Sequence, residues 1–570
     1  MGEVNGAKLT VRALKAEGVE YLFTLSGSVV TVFDACIDEG IKLIDVRHEQ
    51  AAGDMAYGWA AVTGKPGVCL VQENGGAANL LPAIAHAYIE CMPVVAITNT
   101  SASVYLEKSD IFNACQVYRP IVKWATLCTD APRIPEYVDI AFRKALTGRP
   151  GPTLLEIALD TLVDSCDEDL IEVQRYLFPK ERNRTMPRMY GDPLLIKKAL
   201  VMLLNAERPL IIVGDGAGLS GASKELREFV EPTKIPAAHW GLGQGLIPDD
   251  HPLCMGTGSV LDGAGVLLPE ADVILIIGIR LSNFLGFGWP PVFGSDVKVV
   301  QVDVEPEEIG KNRPVEIGIV GDAKAVLSQL VQTAKDFSKK PHKESAWIKR
   351  IGEEKKKFED RLINEGSSSA RPIMPQRLCK EVREFLPRDT IVVIDGGDMS
   401  IWGLTYLRAY FPRHLILSPG IHMEHLGAGV PVAMGAKLAC PEKKVLLLTG
   451  DGSFLFNGKE IDTARRHDIP IVCVIGNDCA MGMDMHEQII AYGKERVIAT
   501  KLSPNTRYDK YAQAFDCYGE LVTDPTEIKP ALKRAFESGL PAVLDVRTAS
   551  VETVADMFFA MGFDPTTYER

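Results

Sequence analysis

The chain carries Gly450-Asp451-Gly452 at the end of one apolar run and Asn477-Asp478 at the end of the next. Val445-Leu446-Leu447-Leu448-Thr449 leads into the first element and Ile471-Val472-Cys473-Val474-Ile475 into the second, with helical sequence between them. Short continuous apolar runs of this kind read as buried parallel strands, so the segment is expected to form a strand-helix-strand unit. Both loops of such a unit emerge at the carboxyl edge of the sheet, where open α/β sheets bind ligands. Asp451 and Asp478 can then meet around one hard cation, while Gly450 and Gly452 let the backbone approach phosphate oxygens. A second Gly-Asp-Gly, at 214–216, is the control: the position matching Asp478 is Leu242, which has no metal-binding side chain.

At 570 residues the chain exceeds what one hydrophobic core usually supports, and three doubly wound α/β domains are expected. The first spans 1–178, the second 195–335 and the third 373–550, with a polar linker at Pro179–Pro193 and a Lys/Glu-rich helical connector between the second and third. Residues 551–570 form an apolar tail, either simply docked on the protein or closing over the active site as a lid. Composition is that of a globular enzyme, with 46% hydrophobic and 24% charged residues, and no apolar run reaches the roughly 20 residues of a membrane helix. The twelve cysteines include no Cys-x-x-Cys pair, and the net charge of −13 argues against nonspecific nucleic-acid binding. The start lacks a basic and then apolar leader, so a cytoplasmic location is expected.

The Gly-Asp-Gly spacing resembles that of the thiamine diphosphate (ThDP) enzymes, whose signature continues after about two dozen residues with a pair of asparagines. The resemblance implies that Asp451, Asp478 and the Ala480 carbonyl ligate Mg²⁺, with Asp478 standing where the family usually has Asn. It extends over nearly the whole chain in the order pyrimidine domain, middle domain, diphosphate domain. Arg47-His48-Glu49-Gln50-Ala51-Ala52 stands where relatives carry the glutamate that hydrogen-bonds the cofactor's aminopyrimidine, which makes Glu49 the activating residue. Asn74-Gly75-Gly76-Ala77-Ala78-Asn79 stands where they have Gly-Pro-Gly-x-x-Asn, placing Gly76 and Asn79 beside the pyrimidine. In Glu424-His425-Leu426-Gly427, Leu426 takes the place of the apolar wedge that bends the cofactor. Gly396, Gly397, Asp398, Ser453 and Met483 complete the implied cofactor contacts.

Within this superfamily the middle segment, Arg280-Leu281-Ser282-Asn283 through Val302-Asp303, resembles 2-hydroxyacyl-CoA lyases and oxalyl-CoA decarboxylases. That likeness implies cleavage of a 2-hydroxyacyl-CoA to formyl-CoA and an aldehyde or ketone, with Glu495, His486 and Glu107 as candidate bases for the substrate hydroxyl. Arg408, Arg413 and Arg547 are the candidates for CoA phosphates. ADP or FAD in the middle domain would fall to Arg280, Asp303 and Asp322, and the resemblance further implies a homodimer or homotetramer. Two departures point elsewhere. Leu106-Glu107-Lys108 replaces Phe-Gln-Glu, and Met481-Gly482-Met483 is similar to acetohydroxyacid synthases, so a carboligase of that kind, or a 2-oxoacid or oxalyl-CoA decarboxylase, is the alternative. A noncatalytic nucleotide-binding protein of the same fold is the reading from a different class.

Overall fold

A computed structural model describes residues 2–106, 108, 111–178, 187–257, 265–336 and 346–553. Three six-stranded sheets dominate it, and every strand pair within them is parallel. Strands such as Val445–Gly450 and Val273–Ile277 are apolar almost throughout because helices cover both faces of their sheets.

The first compact unit comprises residues 1–187, 422–441 and 456–469. Its sheet runs, in spatial order, Lys42–Asp45, Tyr21–Thr24, Gly67–Val71, Val94–Thr100, Thr153–Ala158 and Ala125–Cys128. Helix Glu49–Thr63 is buried nearly all round, as its Ala- and Gly-rich sequence allows. One side meets helix Gly75–Ile89, where a side chain at Gly53 would strike Ala83. The other meets helix Gly429–Ala439, where Gly58 lies against the Val432 carbonyl and Gly435 against the Met55 carbonyl. A Cβ at either glycine would force these helices apart.

The second unit comprises residues 188–421, 442–455 and 470–570 and holds two sheets. The middle sheet has the order Cys254–Thr257, Ala237–His239, Pro209–Val213, Val273–Ile277, Lys298–Asp303, Ile317–Val320. The other has Leu415–Leu417, Ile391–Ile394, Val445–Gly450, Val472–Asn477, Ala542–Arg547, Tyr518–Val522, the same strand order as the sheet of the first unit. The Lys/Glu-rich connector is a helix, Ala346–Glu365, and it braces both sheets of its unit. Trp347 and Ile351 enter the core beside the middle sheet, whereas Phe358 and Leu362 enter the core of the last one. No helix among the described residues is long and apolar enough to cross a membrane.

Candidate cofactor site

Strand order reverses between Ile391–Ile394 and Val445–Gly450, and the loops leaving these two strands frame the crevice that such a reversal creates. Asp451 begins the helix after Val445–Gly450 and is 3% exposed. Burial, reinforced by the facing Asp478, pushes its carboxyl up to about 8, and burial likewise raises Asp478. Two carboxylates forced together out of water call for a cation between them. The main chain offers an oxygen beside them. A Cβ on Gly452 would lie 3.3 Å from the Ala480 carbonyl oxygen and 2.6 Å from the Met481 sulfur, so that oxygen faces the glycine.

Across the crevice, Gly396 has φ +103°, and a Cβ there would sit 3.0 Å from the Gly450 nitrogen. Gly397 packs against the Met483 Cβ, and Ser453 lies behind Gly396. Asp398 starts the next helix and faces into the same crevice, since a Cβ on Gly482 would lie 2.6 Å from Asp398 Oδ2 and 3.1 Å from Asp478 Oδ2. His486 is buried, with Nδ1 2.9 Å from Asp398 Oδ2 and Nε2 2.9 Å from Ser550 Oγ. These residues fit Mg²⁺ and a diphosphate. They offer hard oxygen donors for the ion and a glycine-lined cradle that side chains would fill.

The first unit holds the other set of sequence-nominated residues. His48 caps helix Glu49–Thr63 by accepting the Gln50 N–H at 3.3 Å, and Glu49 follows it in the first turn, 5% exposed. Asn79 Nδ2 donates to Glu49 Oε2 at 3.0 Å, and a Cβ on Gly76 would lie 3.3 Å from Glu49 Oε1. The Glu49 carboxylate is thus held on one oxygen and faces a glycine with the other. Leu426 is half-buried in a turn between Glu424 at φ +53° and Gly427 at φ +84°. That turn is pinned at both ends. Glu90 accepts the N–H groups of His422 and Met423 at 2.7 and 2.9 Å, and Asn457 donates to the Gly427 carbonyl at 2.9 Å.

The residues nominated for CoA are engaged inside the protein. Arg408 donates to Glu359 at 2.6 Å and to the Thr405 and Leu407 carbonyls; Arg413 donates to the Gly218 and Leu219 carbonyls at 3.0 Å. Arg547 donates to the carbonyls of Thr506 and Pro504. Glu495 is exposed on the short turn Lys494–Arg496, and Glu107 lies outside the described residues, as does the tail from 554 onward. In the middle sheet Asp322 takes Arg188 at 2.8 Å and caps the following helix through the Ala325 N–H. Asp303 accepts the Glu305 N–H at 2.9 Å, and Arg280 is half-buried near Asp215.

Sequence reading passed over Glu73, which follows strand Gly67–Val71 at the strand-order reversal of the first sheet. Ser28 Oγ donates to it at 2.6 Å, and Asn99 donates as well. Its place in the sequence is the signal: it stands two residues past a strand at an edge where open α/β sheets bind ligands.

Three family models match in sequence order: the thiamine pyrophosphate enzyme N-terminal TPP-binding domain at residues 4–116, the central domain at 196–330 and the C-terminal TPP-binding domain at 395–546. The chain belongs to the thiamine pyrophosphate enzymes. It is 34% identical to a probable acetolactate synthase large subunit of Methanocaldococcus jannaschii over 95% of this chain and 92% of that protein. It is 33% identical to an acetolactate synthase large subunit of Mycobacterium tuberculosis, over 96% of each. It is also 30% identical to the mouse 2-hydroxyacyl-CoA lyase 1, over 95% of this chain and 94% of that protein.

Proposed function

We propose that this ThDP enzyme is a carboligase of the acetolactate synthase kind, releasing carbon dioxide from a 2-oxo acid and joining the retained acyl unit to a second 2-oxo acid. The observation that carries this reading is the likeness, over nearly the full length of both chains, to proteins named acetolactate synthase at 33 and 34% identity. The engagement of Arg408, Arg413 and Arg547 in internal hydrogen bonds supports it further, because the phosphates of CoA need cations that are not already committed.

ThDP, when bound, supplies the electron sink that lets a carbonyl substrate lose carbon dioxide. Asp451, Asp478 and the Ala480 carbonyl would hold Mg²⁺, and Gly450, Gly452, Gly396 and Gly397 would admit the diphosphate. Glu49, oriented by Asn79, would hold and move the proton at the aminopyrimidine nitrogen. Leu426, fixed by its pinned turn, would prop the cofactor. The active unit would be a homodimer or homotetramer in which Glu49 of one subunit serves the clamp of another.

Cleavage of a 2-hydroxyacyl-CoA is the second reading, favoured by the likeness to 2-hydroxyacyl-CoA lyase 1. Purified protein incubated with ThDP, Mg²⁺ and pyruvate should form acetolactate and carbon dioxide. Formyl-CoA from a 2-hydroxyacyl-CoA, with no ligation product from any 2-oxo acid tried, would replace the first reading with the second.

A further inference from the structure

The first unit buries a group of metal-capable side chains that the cofactor chemistry does not use. Asp54 on helix Glu49–Thr63, His86 on helix Gly75–Ile89 and His425 in the turn before Gly429–Ala439 each present one ligand atom, and the three atoms lie within 4.8 Å of one another. Asp54 and His86 are completely buried. Among the described residues, neither Asp54 Oδ1 nor either ring nitrogen of His86 has a hydrogen-bond partner. Polar atoms sealed from water are rarely left in that condition, so something satisfies them.

The spacing indicates what it is. Asp54 Oδ1 lies 3.7 Å from His86 Nδ1 and 3.4 Å from His425 Nε2. Both separations exceed the hydrogen-bond optimum. Both are close to the edge of about 3.3 Å that a tetrahedral ion with bonds of about 2.0–2.1 Å imposes on its ligands. A His-Asp pair free to close does so elsewhere in this protein, where His239 Nε2 and Asp249 Oδ1 are 2.6 Å apart.

A fourth donor is at hand. Gln50 Nε2 lies 3.2 Å from His425 Nε2 and 3.3 Å from Asp54 Oδ2, and a half-turn of that amide presents its oxygen instead. The His86 ring is held by stacking on Tyr57, centroids 4.2 Å apart.

We propose that Asp54, His86 and His425 bind one transition-metal ion of the zinc class, distinct from the ion of the diphosphate clamp. It would be a structural ion. The three ligands come from the helix that carries Glu49, the helix that carries Asn79 and the turn that carries Leu426, so one ion would lock the three elements that present these residues.

The test is metal analysis of the full chain, expressed with supplemented zinc and purified without chelator. Close to one equivalent of zinc per chain is expected. Asp451→Ala should keep it, whereas His86→Phe and His425→Leu should lose it. Cobalt-loaded protein should show the visible d–d bands of a tetrahedral site, absent in His425→Leu. Chelation should lower the melting temperature of the unaltered protein. The proposal is overturned if zinc and cobalt, offered in excess, fail to survive gel filtration with the unaltered protein, or if both histidine variants retain full metal. Should a variant fail to fold, the metal content and cobalt spectrum of the unaltered protein decide the matter.

Discussion

The tripeptide Gly-Asp-Gly occurs twice in this molecule, and the two copies have become different objects. Each follows a central strand of a parallel sheet at the point where strand order reverses, and in each the aspartate begins a helix. Asp215 is bound into its own loop, where its carboxylate accepts the Leu242 N–H at 2.7 Å and lies against Gly241. Asp451 instead faces Asp478, and burial reinforced by that second acid pushes the Asp451 carboxyl up to about 8. At the same offset one copy meets a backbone N–H and the other a carboxylate. Whether the motif closes as a turn or opens as a candidate ion site is therefore set by its partner strand, not by the tripeptide.

The comparison breaks most easily at Asp451. Asp451→Ala should abolish retention of ThDP through gel filtration and with it all turnover. Glu49→Gln should leave cofactor binding largely intact but cut turnover by about 10²- to 10⁴-fold, because a positioned proton carrier is lost; steady-state kinetics beside a ThDP titration separates the two.

The strand before the loop that receives Asp215 carries a charge pair of the opposite kind. His239 is raised to about 10, since the facing Asp249 overcomes the burial that would lower it. A raised histidine contributes stability that is whole below its ordinary value of about 6.5 and is lost as pH climbs through about 10. The melting temperature should accordingly fall across that window, and His239→Leu should flatten the fall while costing roughly 3–5 kcal/mol at neutral pH by stranding Asp249.

Asp215→Ala should be milder, about 1–3 kcal/mol in urea melts for the unpaired Leu242 N–H, with ThDP binding unchanged. The smallest effect belongs to Asp478→Asn, which keeps an oxygen ligand and removes the like charge beside Asp451. Cofactor retention should survive it, and an equilibrium titration with Mg²⁺ would show any shift in affinity.

The meeting of Asp451 and Asp478 is legible in the sequence because its parts are local. Two adjacent strands, joined through helices Asp451–Asn457 and Glu460–Arg466, fix where Asp451 and Asp478 emerge, and the apolar runs announce both strands. The Glu49 half is also local, since His48 caps the helix from the adjacent position and Asn79 lies in the first turns of the next one. Charge and position along the chain single out Arg408 and Arg413, yet the groups that engage them, Glu359 and the carbonyls of Gly218 and Leu219, come from remote segments that no periodicity signals. Asp322 is a nucleotide candidate by its place after a strand; that folding brings Arg188 onto it and makes it the cap of the next helix has no sequence signal. Asp54, His86 and His425 were invisible for the same reason: two buried helices and a turn bring together residues with no shared sequence pattern. The close seating of helix Glu49–Thr63 on Gly429–Ala439 likewise depends on Gly58 and Gly435, two ordinary glycines until their neighbours are known.

The most direct test of the clamp is calorimetric titration of ThDP, in the presence of Mg²⁺, into the unaltered protein, Asp451→Ala and Asp215→Ala. Saturable binding to the unaltered protein and to Asp215→Ala, with none to Asp451→Ala, is the expected result. Equal binding to all three would mean that Asp451 does not hold the metal diphosphate, and the distinction drawn between the two Gly-Asp-Gly turns would fall with it.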